Sequence, residues 1–235
     1  MTTRTTEILT ENLHRIRERI EAACQRAGRS ASDVTLVAVS KYAELDWVRA
    51  LVDLGITDLG ESRPQQLAAR AAELPAAIRW HLIGHLQRNK VELVLPLVTR
   101  IHSVDSVRLL EAINRESQRL GSRARLLLEV NVSGEQSKDG FGSDSLLEAW
   151  TTICQQHAVQ IDGLMTMAPL TKTMEEARPI FRALRELRDR LAATSNGRWT
   201  LPDLSMGMSG DFEIAIEEGA TLVRVGSGLF EGLNQ

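Results

Sequence analysis

At 235 residues the chain is long enough for one large domain or two small ones, and 28 Lys+Arg against 31 Asp+Glu leave a formal charge of -3. That near-balance, with one Tyr, four Phe and no basic stripe interleaved with aromatics, argues against nucleic acid as the main partner. The two cysteines, Cys24 and Cys154, lie far apart without CxxC or metal-ligand spacing, which fits a reduced, cytosolic setting.

Residues 1–28 read as a helix. Leu9, Leu13, Ile16, Ile20 and Ala23 recur at alternating spacings of four and three and so share one face, which could cover the rest of the protein or a partner. Glu7, Glu11, Arg15, Arg17 and Glu18 interrupt any apolar core of signal-peptide length, so no signal peptide is expected. Nowhere do about 18 apolar residues run uninterrupted, and no membrane span is expected. Strand-like and helix-like segments then alternate. Strands are predicted at Val34–Ser40, Thr57–Glu61, Ile78–Gly84, Arg100–Val104, Ala124–Val132, Gln160–Ala168, Asp203–Gly207 and Leu222–Phe230. Helices are predicted at Trp47–Leu54, Pro64–Leu74, Ser106–Leu120, Ser145–His157, Glu175–Ala193 and Asp211–Glu218. Eight such strands favour a single (β/α)8 TIM-type barrel with an extra N-terminal helix, and no linker divides the chain.

In such a barrel the reactive groups sit at the C-terminal strand ends. Those ends carry Lys41, Glu61 with Ser62, His81 with Gly84, Ser103 with Asp105, Asn131, Met165 with Met167, Ser205 with Met206, and Arg224 with Gly226. Lys41 either reaches solvent past its strand or, desolvated, acts as a nucleophile toward a carbonyl. Met206-Gly207-Met208-Ser209-Gly210-Asp211 and Gly226-Ser227-Gly228 are either tight turns or a backbone cradle for an anion. Arg224 alternates with Val223 and Val225, so it points into the barrel mouth, where it pairs with a carboxylate or donates to a ligand. His81 and His85 are four apart on a strand and turn, which is not zinc-type spacing, and the methionines suit a pocket wall. Together these features describe a site for a phosphorylated carbonyl compound.

Val37-Ala38-Val39-Ser40-Lys41, Gly60-Glu61 and the run Trp80 to Lys90, WHLIGHLQRNK, resemble the pyridoxal phosphate homeostasis protein family. The resemblance continues through Glu129 to Ser133, Ser137-Lys138-Asp139-Gly140, Gly163-Leu164-Met165, Leu204 to Asp211 and Val223 to Ser227, covering nearly the whole chain. It implies a single-domain fold-type III barrel, similar to the alanine racemase N-terminal domain, that holds pyridoxal 5'-phosphate (PLP) as a Schiff base on Lys41. Arg224 would face the pyridine nitrogen, and Ser209, Gly226 and Ser227 would hold the phosphate within the Met206–Gly210 loop. The implied cofactor-binding set is Lys41, Ser62, His81, Met206, Ser209, Gly210, Arg224, Gly226 and Ser227, with no metal. Lys138 matches a family lysine with a second role in PLP handling. Ser62 departs from the family pattern, which has Asn there, and Tyr42-Ala43-Glu44 replaces a Thr or Pro-containing turn.

The resemblance implies a carrier in vitamin B6 and amino-acid homeostasis, a cytoplasmic monomer that holds PLP and delivers it to apoenzymes. Two alternatives stay open, a PLP-dependent amino-acid racemase and a Schiff-base aldolase on a sugar phosphate. A racemase needs an acid/base on each face of its substrate. The only tyrosine, Tyr42, adjoins Lys41 and is expected on the opposite side of the strand, so no second donor is evident.

Overall fold

The computed structural model of the chain describes residues 3–135, 139–169, 172–195 and 197–233. Eight parallel strands close into a barrel in chain order: β1 (Thr35–Val39), β2 (Asp58–Glu61), β3 (Arg79–Leu82), β4 (Arg100–Val104), β5 (Ala124–Glu129), β6 (Val159–Met165), β7 (Asp203–Ser205) and β8 (Leu222–Val225). The helices are α1 (Thr3–Arg26), α2 (Leu45–Asp53), α3 (Pro64–Glu73), α4 (Val91–Val94), α5 (Val107–Arg119), α6 (Ser143–Cys154), α7 (Arg178–Thr194) and α8 (Phe212–Glu217). The expected barrel is therefore present. Among the described residues, no helix is long and apolar enough to cross a membrane.

Strand alternation sorts side chains into two environments. Leu59, Trp80, Leu82, Ile101, Leu126, Leu128, Leu164, Leu204, Val223 and Val225 belong to the outer core against the helices. Inside the barrel, Val37, Leu127, Met165 and Leu222 form a separate small apolar cluster. The rest of the interior is unusually polar, with His81, His102, Ser205 and Arg224 all buried. β6 and β7 approach so closely that a Cβ on Gly163 would stand 1.7 Å from the Asp203 carbonyl oxygen, which restricts that position to glycine.

The α1 stripe covers the barrel. Leu9, Leu13, Ile16, Ile20 and Ala23 are all buried, each large side chain contributing about 1.5–3 kcal/mol. Arg19 pairs with Glu213 at 2.5 Å and Arg26 with Glu217 at 2.6 Å, so α1 also docks through ion pairs on α8. Asn12 Nδ2 donates to the carbonyls of Leu229 and Glu231, which fastens the segment after β8.

Most strands stop earlier than their composition suggests. Val130, Val132, Leu229 and Phe230 continue an apolar pattern past the last strand residues, but Val130, whose amide still donates to Met165 O, pairs beyond that only as an isolated bridge to Phe141, and Leu229 and Phe230 are buried outside any strand.

Candidate functional site

Lys41 follows β1 directly, and α3 fixes the turn that carries it. Arg70 Nη1 donates to Ser40 O at 2.7 Å and Nη2 to Ala43 O at 2.6 Å, while Gln66 Nε2 donates to Lys41 O at 3.2 Å. The buried Glu61 carboxylate lies 3.8 Å from Arg70 Nε and accepts from the Ser62 amide at 2.7 Å. Two strand ends are thus tied to one guanidinium. The half-buried Lys41 amine has no carboxylate partner among the described residues, and Nζ lies 5.0 Å from the Tyr42 ring centroid. Tyr42 is 75 % exposed and so does not project across the strand as expected. The chain has already turned at Lys41, and strand alternation no longer applies there.

Arg224, on β8 between β7 and β1, lies inside the barrel and is 4 % exposed. Its Nη1 donates to Ser205 Oγ at 2.6 Å and its Nη2 to Thr166 O at 2.9 Å. Burial pushes its pKa down to about 10, against the opposing attraction of Glu129 and Asp211. Behind Ser205, His102 Nδ1 stands 2.8 Å away, His102 Nε2 lies 2.9 Å from His81 Nδ1, and His81 Nε2 lies 3.0 Å from Asp58 Oδ1. Burial lowers both imidazole pKa values, that of His102 well below the ordinary range.

The loops after β7 and β8 meet at Ser209. The amides of Gly226 and Gly228 each point at Ser209 Oγ from 3.3 Å. Among the described residues, the amides of Ser209, Gly210 and Ser227 donate to no protein acceptor. Gly207 has φ +91° and no room for a Cβ beside Ala215 and Phe212, while nothing lies within 4 Å of a Cβ on Gly210. The result is a turn with inward and open amides, suited to an anion. Gly226 abuts Val39, with 3.2 Å between its ideal Cβ position and the Val39 Cβ, so the cradle borders the Lys41 strand.

Glu129 ends β5 in the same inward register as Leu127 and is 5 % exposed. Burial, then Asp105 and Asp139, raise its pKa to about 7, with Arg224 and His85 opposing. Val130 and Val132 extend the predicted strand past Glu129, which places Asn131 rather than this carboxyl at the expected strand end. Asn131 instead organises the next turn, donating to Glu135 O at 2.7 Å and accepting from the Gly134 amide at 3.0 Å. His85, at the lip, pairs with Asp105 at 2.9 Å and faces Asp139 at 3.7 Å.

The structure brings Arg224, Ser209, Gly210, Gly226 and Ser227 together beside the β1 end that carries Lys41. Ser62 lies against Gly84, where a Cβ would stand 2.5 Å from the Ser62 carbonyl oxygen. Met206 follows the inward Ser205, and its side chain is buried in the outer core. His81 lies deeper in the barrel, both ring nitrogens engaged by His102 and Asp58. Lys138 lies outside the described residues.

The family model of the alanine racemase N-terminal domain matches residues 12–234. A pyridoxal phosphate homeostasis protein of Aquifex aeolicus is 41 % identical over 221 residues, 94 % of this chain and 96 % of the relative. The chain belongs to the pyridoxal phosphate homeostasis protein family. Other members of that family include a human protein 34 % identical over 233 residues, 93 % of this chain and 84 % of the relative. Among solved structures, PipY of Synechococcus elongatus with PLP bound is 37 % identical, with a TM-score of 0.80 covering 92 % of this chain and 99 % of that one. Alanine racemase of Clostridium difficile, 15 % identical, shares the fold over 95 % of this chain and 56 % of its own, with a TM-score of 0.69. The homeostasis family and the barrel expected from the sequence are therefore both present.

Proposed function

We propose that the chain binds PLP in the mouth of the barrel as a Schiff base on Lys41, and that it stores the cofactor and delivers it to apoenzymes in the cytosol as a monomer. One observation carries this reading. An amine after β1 with no carboxylate partner among the described residues, a buried guanidinium on β8 and an amide cradle after β7 and β8 lie on three adjacent strands. The residues fit the group, since the open amides around Ser209 match a phosphate and Arg224 retains N–H donors beyond those given to Ser205 and Thr166. PipY, of the same architecture, binds PLP.

When bound, PLP supplies an aldehyde that condenses with a primary amine and a ring that withdraws electron density from the attached carbon. Lys41 provides the amine, held by the Arg70 clamp on the carbonyls of Ser40 and Ala43. Ser209, Gly210, Gly226 and Ser227 anchor the phosphate. Arg224 faces the ring nitrogen as a donor that keeps its own proton, which leaves the ring a weaker electron sink and suits retention over turnover.

The test is titration of purified protein with PLP, followed by absorption. Wild type is expected to develop a Schiff-base band that Lys41→Ala lacks. A wild-type protein that stays colourless would sink the reading and favour the aldolase. A second reading, PLP-dependent proton exchange on an amino acid, draws on Glu129 as a buried acid near Arg224. Deuterium exchange at the α-carbon with saturating PLP separates the two. It is absent for a carrier; for an enzyme it is present and lost in Lys41→Ala.

A further inference from the structure

TIM-type barrels ordinarily fill their interior with branched apolar side chains. Here one half of the interior follows that rule, with Val37, Leu127, Met165 and Leu222. The other half is a continuous polar string that runs from Arg224 on β8 to the opposite rim, where Asp58 pairs across strands with Arg79. Its links are Arg224 to Ser205 at 2.6 Å, Ser205 to His102 at 2.8 Å, His102 to His81 at 2.9 Å and His81 to Asp58 at 3.0 Å. Ser205, His102, His81 and Asp58 are all buried.

We propose that Ser205, His102, His81 and Asp58 form a one-directional hydrogen-bond relay that fixes Arg224 for its contact with the ring nitrogen of the cofactor, making His102 and His81 positioning residues. The proposal rests on the PLP reading above for the ligand, and on the string alone for its direction. A guanidinium has only donors, so Ser205 Oγ accepts from Arg224. Ser205 keeps one hydroxyl hydrogen to give to His102 Nδ1, and the acceptor-only Asp58 at the far end requires that nitrogen to accept it. A neutral imidazole has one N–H, so His102 donates from Nε2 to His81 Nδ1, and His81 donates from Nε2 to Asp58. Asp58 is held as a carboxylate by Arg79, whose Nε and Nη2 lie at 2.9 and 2.5 Å. The acceptor-only Asp58 sets the direction, and the donor-only Arg224 at the other end is compatible with it. Each link uses one hydrogen and none is left over. A charge on either imidazole would put a hydrogen on His102 Nδ1 and reverse its link to Ser205, and burial opposes that charge on both rings.

This arrangement orients Ser205 toward Arg224 through neutral groups, so no carboxylate need hydrogen-bond the guanidinium where it meets the ligand. Direction-preserving and direction-breaking substitutions then differ. A glutamine at 102 can accept on Oε1 and donate from Nε2, as His102 does, whereas phenylalanine can do neither.

The experiment has two arms. Side-chain 15N NMR on PLP-free wild-type protein should find His81 and His102 both neutral and both protonated at Nε2; an Nδ1–H form or a charged ring at either position overturns the relay. In PLP titrations, Ser205→Ala and His102→Phe should weaken retention about ten-fold and shift the bound absorption band, as loss of a hydrogen bond to a charged group implies. Ser205→Thr and His102→Gln should restore both. Wild-type affinity and band in Ser205→Ala and His102→Phe would overturn the positioning role. A wild type that takes up no PLP defeats the cofactor reading, while the NMR arm still decides the relay. That arm uses the unaltered protein, so a variant that fails to fold leaves the relay decidable.

Discussion

Glu129→Gln should change how stability depends on pH, because the fold buries this carboxyl near two others. Burial is the largest cause of its raised pKa, Asp105 and Asp139 add to it, and Arg224 and His85 oppose it, for a value of about 7 against an ordinary 4.5. A carboxyl that binds its proton more tightly when folded stabilises the protein fully below the unfolded pKa. That contribution falls as pH rises and is gone above the folded pKa. At about 1.4 kcal/mol per pH unit, the interval from 4.5 to about 7 corresponds to about 3 kcal/mol. An amide of the same shape has no such dependence. Chemical denaturation at about pH 5 and about pH 8 provides the assay, with the linear extrapolation applied to both proteins. Wild type should lose up to about 3 kcal/mol more across that interval than Glu129→Gln. Other titrating groups, His81 and His102 included, are present in both proteins and cancel in the difference. Equal losses would refute the claim that Glu129 is protonated by its surroundings.

Arg70→Ala should release the turn that carries Lys41, costing about 2–4 kcal/mol of stability and slowing PLP capture in stopped-flow absorption, since it unpairs the carbonyls of Ser40 and Ala43. Unchanged capture would show that the clamp does not position the lysine. Ile16→Ala should destabilise by about 2–5 kcal/mol in urea denaturation, because Ile16 is buried between α1 and the barrel; a loss under 1 kcal/mol would mean α1 docks loosely. Asp58→Asn should cost about 2–4 kcal/mol at neutral pH, measured by denaturation. His81 and Arg79 hold the Asp58 pKa well below its ordinary 3.8, so its contribution is full above that value and declines as pH falls further. A difference that grows toward acid would contradict this sign.

The barrel could be read from period and parity. The α1 stripe, the order of eight strands and the inward position of Arg224 between Val223 and Val225 all follow from local alternation. What escaped was set by contacts distant in sequence. Nothing near His102 announces that it bonds both Ser205, 103 positions on, and His81, 21 positions back. Strand ends were the other weak point. Apolar residues continue past the last strand residues into buried loops, which moved the expected end of β5 from Glu129 to beyond Asn131 and hid the carboxyl at the barrel mouth. Tyr42 shows the same effect one residue beyond Lys41, where the turn rather than the strand sets direction.

The central claim is that Lys41 is the residue to which PLP is joined. Incubation of wild-type protein with PLP, reduction with borohydride and peptide mass mapping tests it most directly. The account predicts one reduced pyridoxyl phosphate group on the peptide containing Lys41, and none on the matching peptide of Lys41→Ala. Stoichiometric label on another lysine, with Lys41 unmodified, would contradict it.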